Sequence, residues 1–296
     1  MRFKIFFFSI AYCSLPVFSF SQGIWLQKAS VPGQGRWNGV AFSIANKGYL
    51  GTGIGVVGGW NVVLDDFWEY DPSADTWTQK ANFGGGPREF AVGFSIANKG
   101  YIGIGYQNDF WQYDPLTNLW TQMANFSGNS RIYACGFSVG GNGYVGTGQN
   151  GFGCLNDFWK YDPVSNAWSQ LGNYPGGLRR DIDRAFIIAN KAYLGAGANN
   201  NNAPQNDLWE YDPITDTWTQ KTNLPGSPRY GATSFSICGK GFLGFGEKFS
   251  GNGSMMNDLW MYDPVTNLWS AAASLPALER VDALAFVINN KAYLGT

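Results

Sequence analysis

The 296-residue chain has no histidine. That removes the usual base of Ser-His-Asp and Cys-His relays and the commonest transition-metal ligand. Charge is sparse too: Asp, Glu, Lys and Arg make up 14% of the chain, the net charge is −1, and no run of Lys or Arg occurs. Without a basic stripe, nucleic acid and anionic membrane surfaces are poor partners. Cysteine is scarce at four residues. What the chain has instead is aromatic side chains, at 17%, and 40 glycines. This composition suits an all-β protein with tight turns and rings packed between sheets.

Residues 1–21 read as an export signal. Arg2 and Lys4 precede a mostly apolar stretch, and Ser19-Phe20-Ser21 offers small residues at a cleavage site before Gln22. Ser9, Ser14 and Pro16 interrupt the stretch, which argues against a membrane anchor. Cys13 follows the bulky Tyr12, so a lipoprotein site is discounted. No other transmembrane candidate follows. The expected mature protein is therefore exported (periplasmic, cell-surface or secreted), with no membrane insertion after cleavage.

The remainder, 22–296, is a repeat array. DFWEYDPSADTW (Asp66–Trp77) returns as DFWQYDPLTNLW, DFWKYDPVSNAW, DLWEYDPITDTW and DLWMYDPVTNLW, starting at Asp109, Asp157, Asp207 and Asp258. Each copy reads as two strands around an Asp-Pro turn. Upstream of each runs an arginine, a phenylalanine six residues later, and a Gly-Tyr-Leu-Gly-like strand. The arginines of this frame are Arg36, Arg88, Arg131, Arg180, Arg229 and Arg280. One repeat is thus four strands, and a small twisted sheet repeated at this length buries its faces by packing radially as a propeller blade.

Arginine, Tyr-Leu-Gly-x-Gly, Tyr-Asp-Pro and a tryptophan five residues after the proline together resemble the kelch repeat, over residues 24–296. The resemblance implies a β-propeller, most often six-bladed, whose last blade combines strands from both chain ends. Here five blades are complete and the sixth is not. Ile24–Lys28 matches a fourth strand, residues 284–296 supply a first and second, and no third is evident. The expectation is a sequence truncated at its C-terminus, or an N-terminal strand shifted inward.

Eleven of the 13 tryptophans belong to the frame and read as packing: Trp25, Trp68, Trp77, Trp111, Trp120, Trp159, Trp168, Trp209, Trp218, Trp260 and Trp269. Trp37 and Trp60 do not. The loops joining strands two and three differ in every copy and share a rim with the segments after each arginine, whereas the other rim carries short, near-identical turns. Variety confined to one rim of a rigid scaffold places recognition there. The candidate ligand-binding residues are Trp37, Trp60, Glu89, Phe90, Tyr133, Arg179, Asp181, Asp183, Arg184, Tyr230 and Asp282. Rings and carboxylates around a concave mouth suit a sugar, although each could equally be an ordinary half-exposed strand start.

The frame arginines read as structural, bonded to carbonyls or a carboxylate of a neighbouring blade, with Arg179 and Arg184 off-frame. Cys135 and Cys154, on one rim of one blade, are a candidate disulfide in an exported protein, and Cys238 reads as a lone thiol. The Asn-Asp pairs before each third strand read as turn residues rather than metal ligands, without EF-hand spacing. No metal and no cofactor is expected.

The composite expectation is an exported, non-catalytic, monomeric propeller that binds a carbohydrate or protein partner through its loop-rich face. The kelch resemblance also implies two enzyme alternatives. A galactose oxidase needs histidine copper ligands, which are absent. A sialic-acid epimerase type of enzyme could use Glu89, Asp181, Asp183 or Asp282 for proton transfer.

Overall fold

The computed structural model describes residues 5–9, 23–180, 185–248, 254–276 and 279–295. It is all-β, built from six four-stranded antiparallel sheets with strands in up-down order. The first blade pairs Val40–Ile44, Lys47–Gly51, Phe67–Asp71 and Thr76–Lys80. The same order recurs from Val92–Ile96 to Leu119–Gln122, Cys135–Val139 to Ala167–Leu171, Phe186–Ile188 to Thr217–Lys221, and Thr233–Ile237 to Leu268–Ala272.

Strand alternation explains why the sheets stack in a ring. On Phe67–Asp71, Phe67 packs against Ile102 and Tyr113 of the second blade, while Trp68 and Tyr70 face Phe286 and Tyr293 of the sixth. Every blade is therefore apolar on both faces, and only neighbours on both sides can cover it. The inner phenylalanine of each blade lies over the next blade's second strand. A Cβ on Gly100 would meet Phe42 at 2.6 Å, and one on Gly48 would meet Phe286 at 2.1 Å. The second contact joins the sixth sheet to the first and closes the ring.

Each seam also carries a polar clamp at the outer edge. Trp120 Nε1 donates to the Ala81 carbonyl at 3.1 Å, while the Ala81 amide donates to Asn118 Oδ1 at 3.0 Å. Asn118 accepts a further bond from its own blade's Tyr113 hydroxyl and adopts a left-handed φ of 56°. The next seam repeats the pattern with Ala124, Asn166 and Trp168. The tandem turns are thus inter-blade connectors, which explains why their sequence hardly varies.

The sixth sheet departs from the expected gap. Ile5–Ser9 occupies the third-strand position, antiparallel to Lys291–Gly295 on one side and to Ile24–Lys28 on the other. A fourth strand cannot hydrogen-bond to a second across an empty space, and here a segment read as part of the export signal fills it.

The frame arginines also differ from expectation in their partner. Arg36, Arg88, Arg131 and Arg229 are buried, and each forks onto the aspartate before its own blade's third strand: Asp66, Asp109, Asp157 and Asp258. The same aspartate accepts from the tryptophan two residues on, as Asp157 does from Trp159 at 2.7 Å. In the fourth blade this role falls to Arg179, whose guanidinium lies 3.3 Å from Asp207. Arg180 is the off-frame residue, so the expected assignment of the two is reversed. One extra residue between Arg179 and Phe186 makes their spacing seven where the other blades have six.

The expected disulfide is absent: Cys135 and Cys154 are both buried and remain thiols. Gln149 lies between Ile132 and Cys154 in the sheet, so Cys154 is two strands removed from the segment leading to Cys135. Two strand spacings put Cys154 about 9.5 Å from Ile132, across the Gln149 strand, so the loop does not lay it directly beside the segment that leads into Cys135. Cys238, read as a lone thiol, is instead disulfide-bonded.

Candidate binding site

In four blades the segment at or just after the frame arginine pairs with the start of that blade's strand 2–3 loop. Arg36-Trp37 pairs with Ile54-Gly55, Ile132 with Gln149, Arg180 with Ala198, and Tyr230 with Glu247. Both variable regions therefore rise from one rim, around the channel mouth.

Two residues past the arginine, the backbone turns left-handed in five blades. Asn38, Phe90, Tyr133, Gly231 and Asp282 have φ of 55°, 56°, 56°, 61° and 56°. Glycine takes this conformation freely, but an aromatic side chain held there costs roughly 1 kcal/mol. The turns are tied across blades, with the Phe90 amide donating to the Asn38 carbonyl and Asp282 to Gly231, both at 3.0 Å. The frame thus imposes the strain, and the strain aims these side chains at the axis.

A cavity of about 70 Å³ opens there, lined among others by Asn38, Phe90, Tyr133 and Asp282. Pockets that engulf small molecules run to roughly 300 Å³ or more, so a ligand would rest on this mouth rather than enter the channel. Phe90 and Tyr133 lie 4.3 Å apart between ring centres, with Tyr106 edge-on to Phe90 at 6.0 Å. The Arg180 guanidinium lies over both Tyr133 and Tyr230, at 5.7 and 5.9 Å, and donates to Asn202 Oδ1 at 2.8 Å. Glu89, half-buried beside Phe90, has its carboxyl pushed above the ordinary carboxylate range by burial.

Of the sequence-derived candidates, the structure brings together Phe90, Tyr133 and Asp282 at the cavity, with Tyr230 joined to Tyr133 through Arg180. Trp37 is half-buried at the base of a hairpin, and Trp60 stands at that hairpin's tip, 78% exposed. Arg179 is frame. Asp181, Asp183 and Arg184 lie outside the described residues. Arg180, read as a frame arginine, was missed as a site residue; the seven-residue spacing at Arg179 was the signal that could have found it.

Among the described residues no group of His, Cys, Asp and Glu could hold a metal ion, and no helix is long and apolar enough to cross a membrane.

Radial four-stranded sheets, a buried Arg–Asp–Trp frame and Asp-Pro turns define the fold as a kelch-type β-propeller. The kelch motif profile matches residues 56–84 and 100–127. Among solved structures, the one described as "Structure of YjhT" is similar over 88% of this chain and 90% of that one, with a TM-score of 0.70 and 19% identity. No curated protein matches the sequence closely enough to lend it a function. The kelch-type fold supports a binding-type scaffold, and its variable rim is where this one differs from blade to blade.

Proposed function

We propose that the chain is an exported, non-catalytic propeller that binds a carbohydrate at its channel mouth. The observation that carries this reading is the ring cluster of Phe90, Tyr133 and Tyr230 with Arg180 laid over two of its members. Flat apolar faces stack on sugar rings, and the guanidinium and Asp282 supply hydrogen-bond partners for hydroxyls. The basic-then-apolar leader supports export, and because Ile5–Ser9 within it pairs into the sixth sheet, the exported chain of this reading keeps its leader uncleaved. Glycan-array binding of the purified chain tests the reading, with Tyr133→Ala expected to lose about tenfold or more in affinity. Binding confined to a protein partner, with every glycan silent, would replace the carbohydrate by a protein on the same rim.

A second reading, a sugar epimerase of the sialic-acid type, is favoured by one observation. Burial raises the Glu89 carboxyl toward the range of a working acid-base group. Turnover abolished by Glu89→Gln would establish it; binding without turnover removes it.

A further inference from the structure

The first blade's strand 2–3 loop is a free-standing β-hairpin. Ile54–Val57 pairs with Trp60–Val63 across a Gly58-Gly59 turn whose φ values are 59° and 89°. Arg36-Trp37 covers one edge of this three-stranded sheet, and Trp60–Val63 is the other edge. Val56, Val57, Trp60, Val62 and Val63 are all exposed, on both faces of the hairpin. Residues 54–64 contain no charge and no proline. Edge strands are normally guarded by lysine, proline or a covering element, and this one has none of those devices.

The register shows which backbone groups are open. Leu64 donates its amide to the Gly53 carbonyl at 2.8 Å, so 53 and 64 form a hydrogen-bonded pair. Hydrogen-bonded pairs alternate along an antiparallel ladder, so Val62 and Trp60 also bond inward. Asn61 and Val63 therefore direct their N–H and C=O outward.

We propose that this edge pairs with the same edge of a second copy, antiparallel about a two-fold axis at Val62. In that register Asn61 and Val63 of each copy exchange hydrogen bonds, Val62 meets Val62, and Trp60 faces Leu64 of the second copy. The segment is complementary to itself: uncharged against uncharged, β-branched and aromatic against aliphatic. The two three-stranded sheets become one of six strands, and the apolar residues of both faces gain cross-strand neighbours. The patch is smaller than the roughly 800 Å² per partner of a standard interface, which makes the dimer weak, with a dissociation constant on the order of 10 µM or above. It replaces the monomer expected from the sequence, and it leaves the channel mouth open.

Sedimentation velocity of the full chain between about 10 and about 500 µM tests the proposal, with a concentration-dependent dimer expected. Asn61→Pro removes only an outward N–H and leaves the hairpin's own bonds intact, so it should abolish the dimer without changing the circular dichroism. Val62→Lys and Val62→Glu should each be monomeric alone, because like charges then face each other at the axis, and should dimerise when mixed. The mixing result also covers the case in which Asn61→Pro fails to fold. A wild-type chain that stays monomeric throughout overturns the proposal. So does an Asn61→Pro variant that folds and still dimerises, or a monomer that floats with phosphatidylcholine vesicles through Trp60.

Discussion

The third and fourth blades carry the same frame and hold it with different firmness. In the third, Arg131 donates to both Asp157 oxygens at 2.7 and 2.6 Å, to the Thr147 carbonyl at 3.0 Å, and through Nε to the Asn129 carbonyl at 3.0 Å. In the fourth, Arg179 reaches Asp207 through one oxygen at 3.3 Å, with longer contacts to Gln205 and to the Leu178 carbonyl. Its Nε, and Asp207 Oδ1, are buried without a hydrogen-bond partner. The clamp on the seam between these blades is looser too. Gly172 stands where the two preceding seams have Ala81 and Ala124, its amide reaches Asp216 at 3.4 Å, and Trp218 Nε1 has no acceptor.

The difference coincides with the extra residue that puts Arg180 over the tyrosines of the mouth. A frame position has been loosened where the rim, among the described residues, acquires a stacked guanidinium. Departures from local consistency concentrate at functional sites for this reason: the site needs a geometry that the repeat does not supply.

Breaking the firm blade should have the largest effect. Arg131→Met leaves the half-buried Asp157 without its counter-charge and should cost about 3 kcal/mol in urea unfolding. Arg179→Met should cost about half of that or less, given the longer contacts it loses. Equal losses in the two variants would erase the contrast.

Acid should dismantle the firm frame. Burial pushes the carboxyls of Asp66, Asp109, Asp157 and Asp258 up, but bonds from their arginines and tryptophans outweigh it and hold all four below the ordinary aspartate range. A depressed folded pKa contributes stability that is present above the unfolded value of about 3.9 and lost as pH falls through the folded value. The melting temperature should therefore hold steady down to about pH 4 and fall below it. In Asp157→Asn that acid-side fall should be shallower.

Repairing the loose seam should give smaller gains of opposite sign. Tyr174 is fully buried, with its hydroxyl unpaired, where the first and second blades place Phe83 and Phe126. Tyr174→Phe should stabilise by about 1 kcal/mol, because an unsatisfied buried hydroxyl is removed without loss of ring packing. Gly172→Ala should add roughly 0.5 kcal/mol. Its Cβ would meet nothing closer than Asp216 at 3.9 Å. Destabilisation by either substitution in thermal melts would contradict the account of this seam.

Much of the frame was legible because it is written five times. Trp120 and Trp168 each donate to the preceding blade at 3.1 Å, as their shared position in the repeat requires. The site was legible only in part. Phe90, Tyr133 and Asp282 stand two residues past a frame arginine, so the register located them, but the left-handed turn that aims them inward follows from contacts between blades. Trp60 looked like its fellow candidate Trp37, although three residues of hairpin carry it out to the tip.

Five written copies are enough to specify the four-strand unit, its radial packing and the rim that varies, since every blade solves one packing problem with one set of residues. Packing in three dimensions sets which of two adjacent arginines reaches Asp207, that Cys135 and Cys154 do not form a disulfide, and that Ile5–Ser9 lies in the sixth sheet. Each of these depends on a distance across strands, and spacing along the chain does not encode such a distance where the repeat is interrupted.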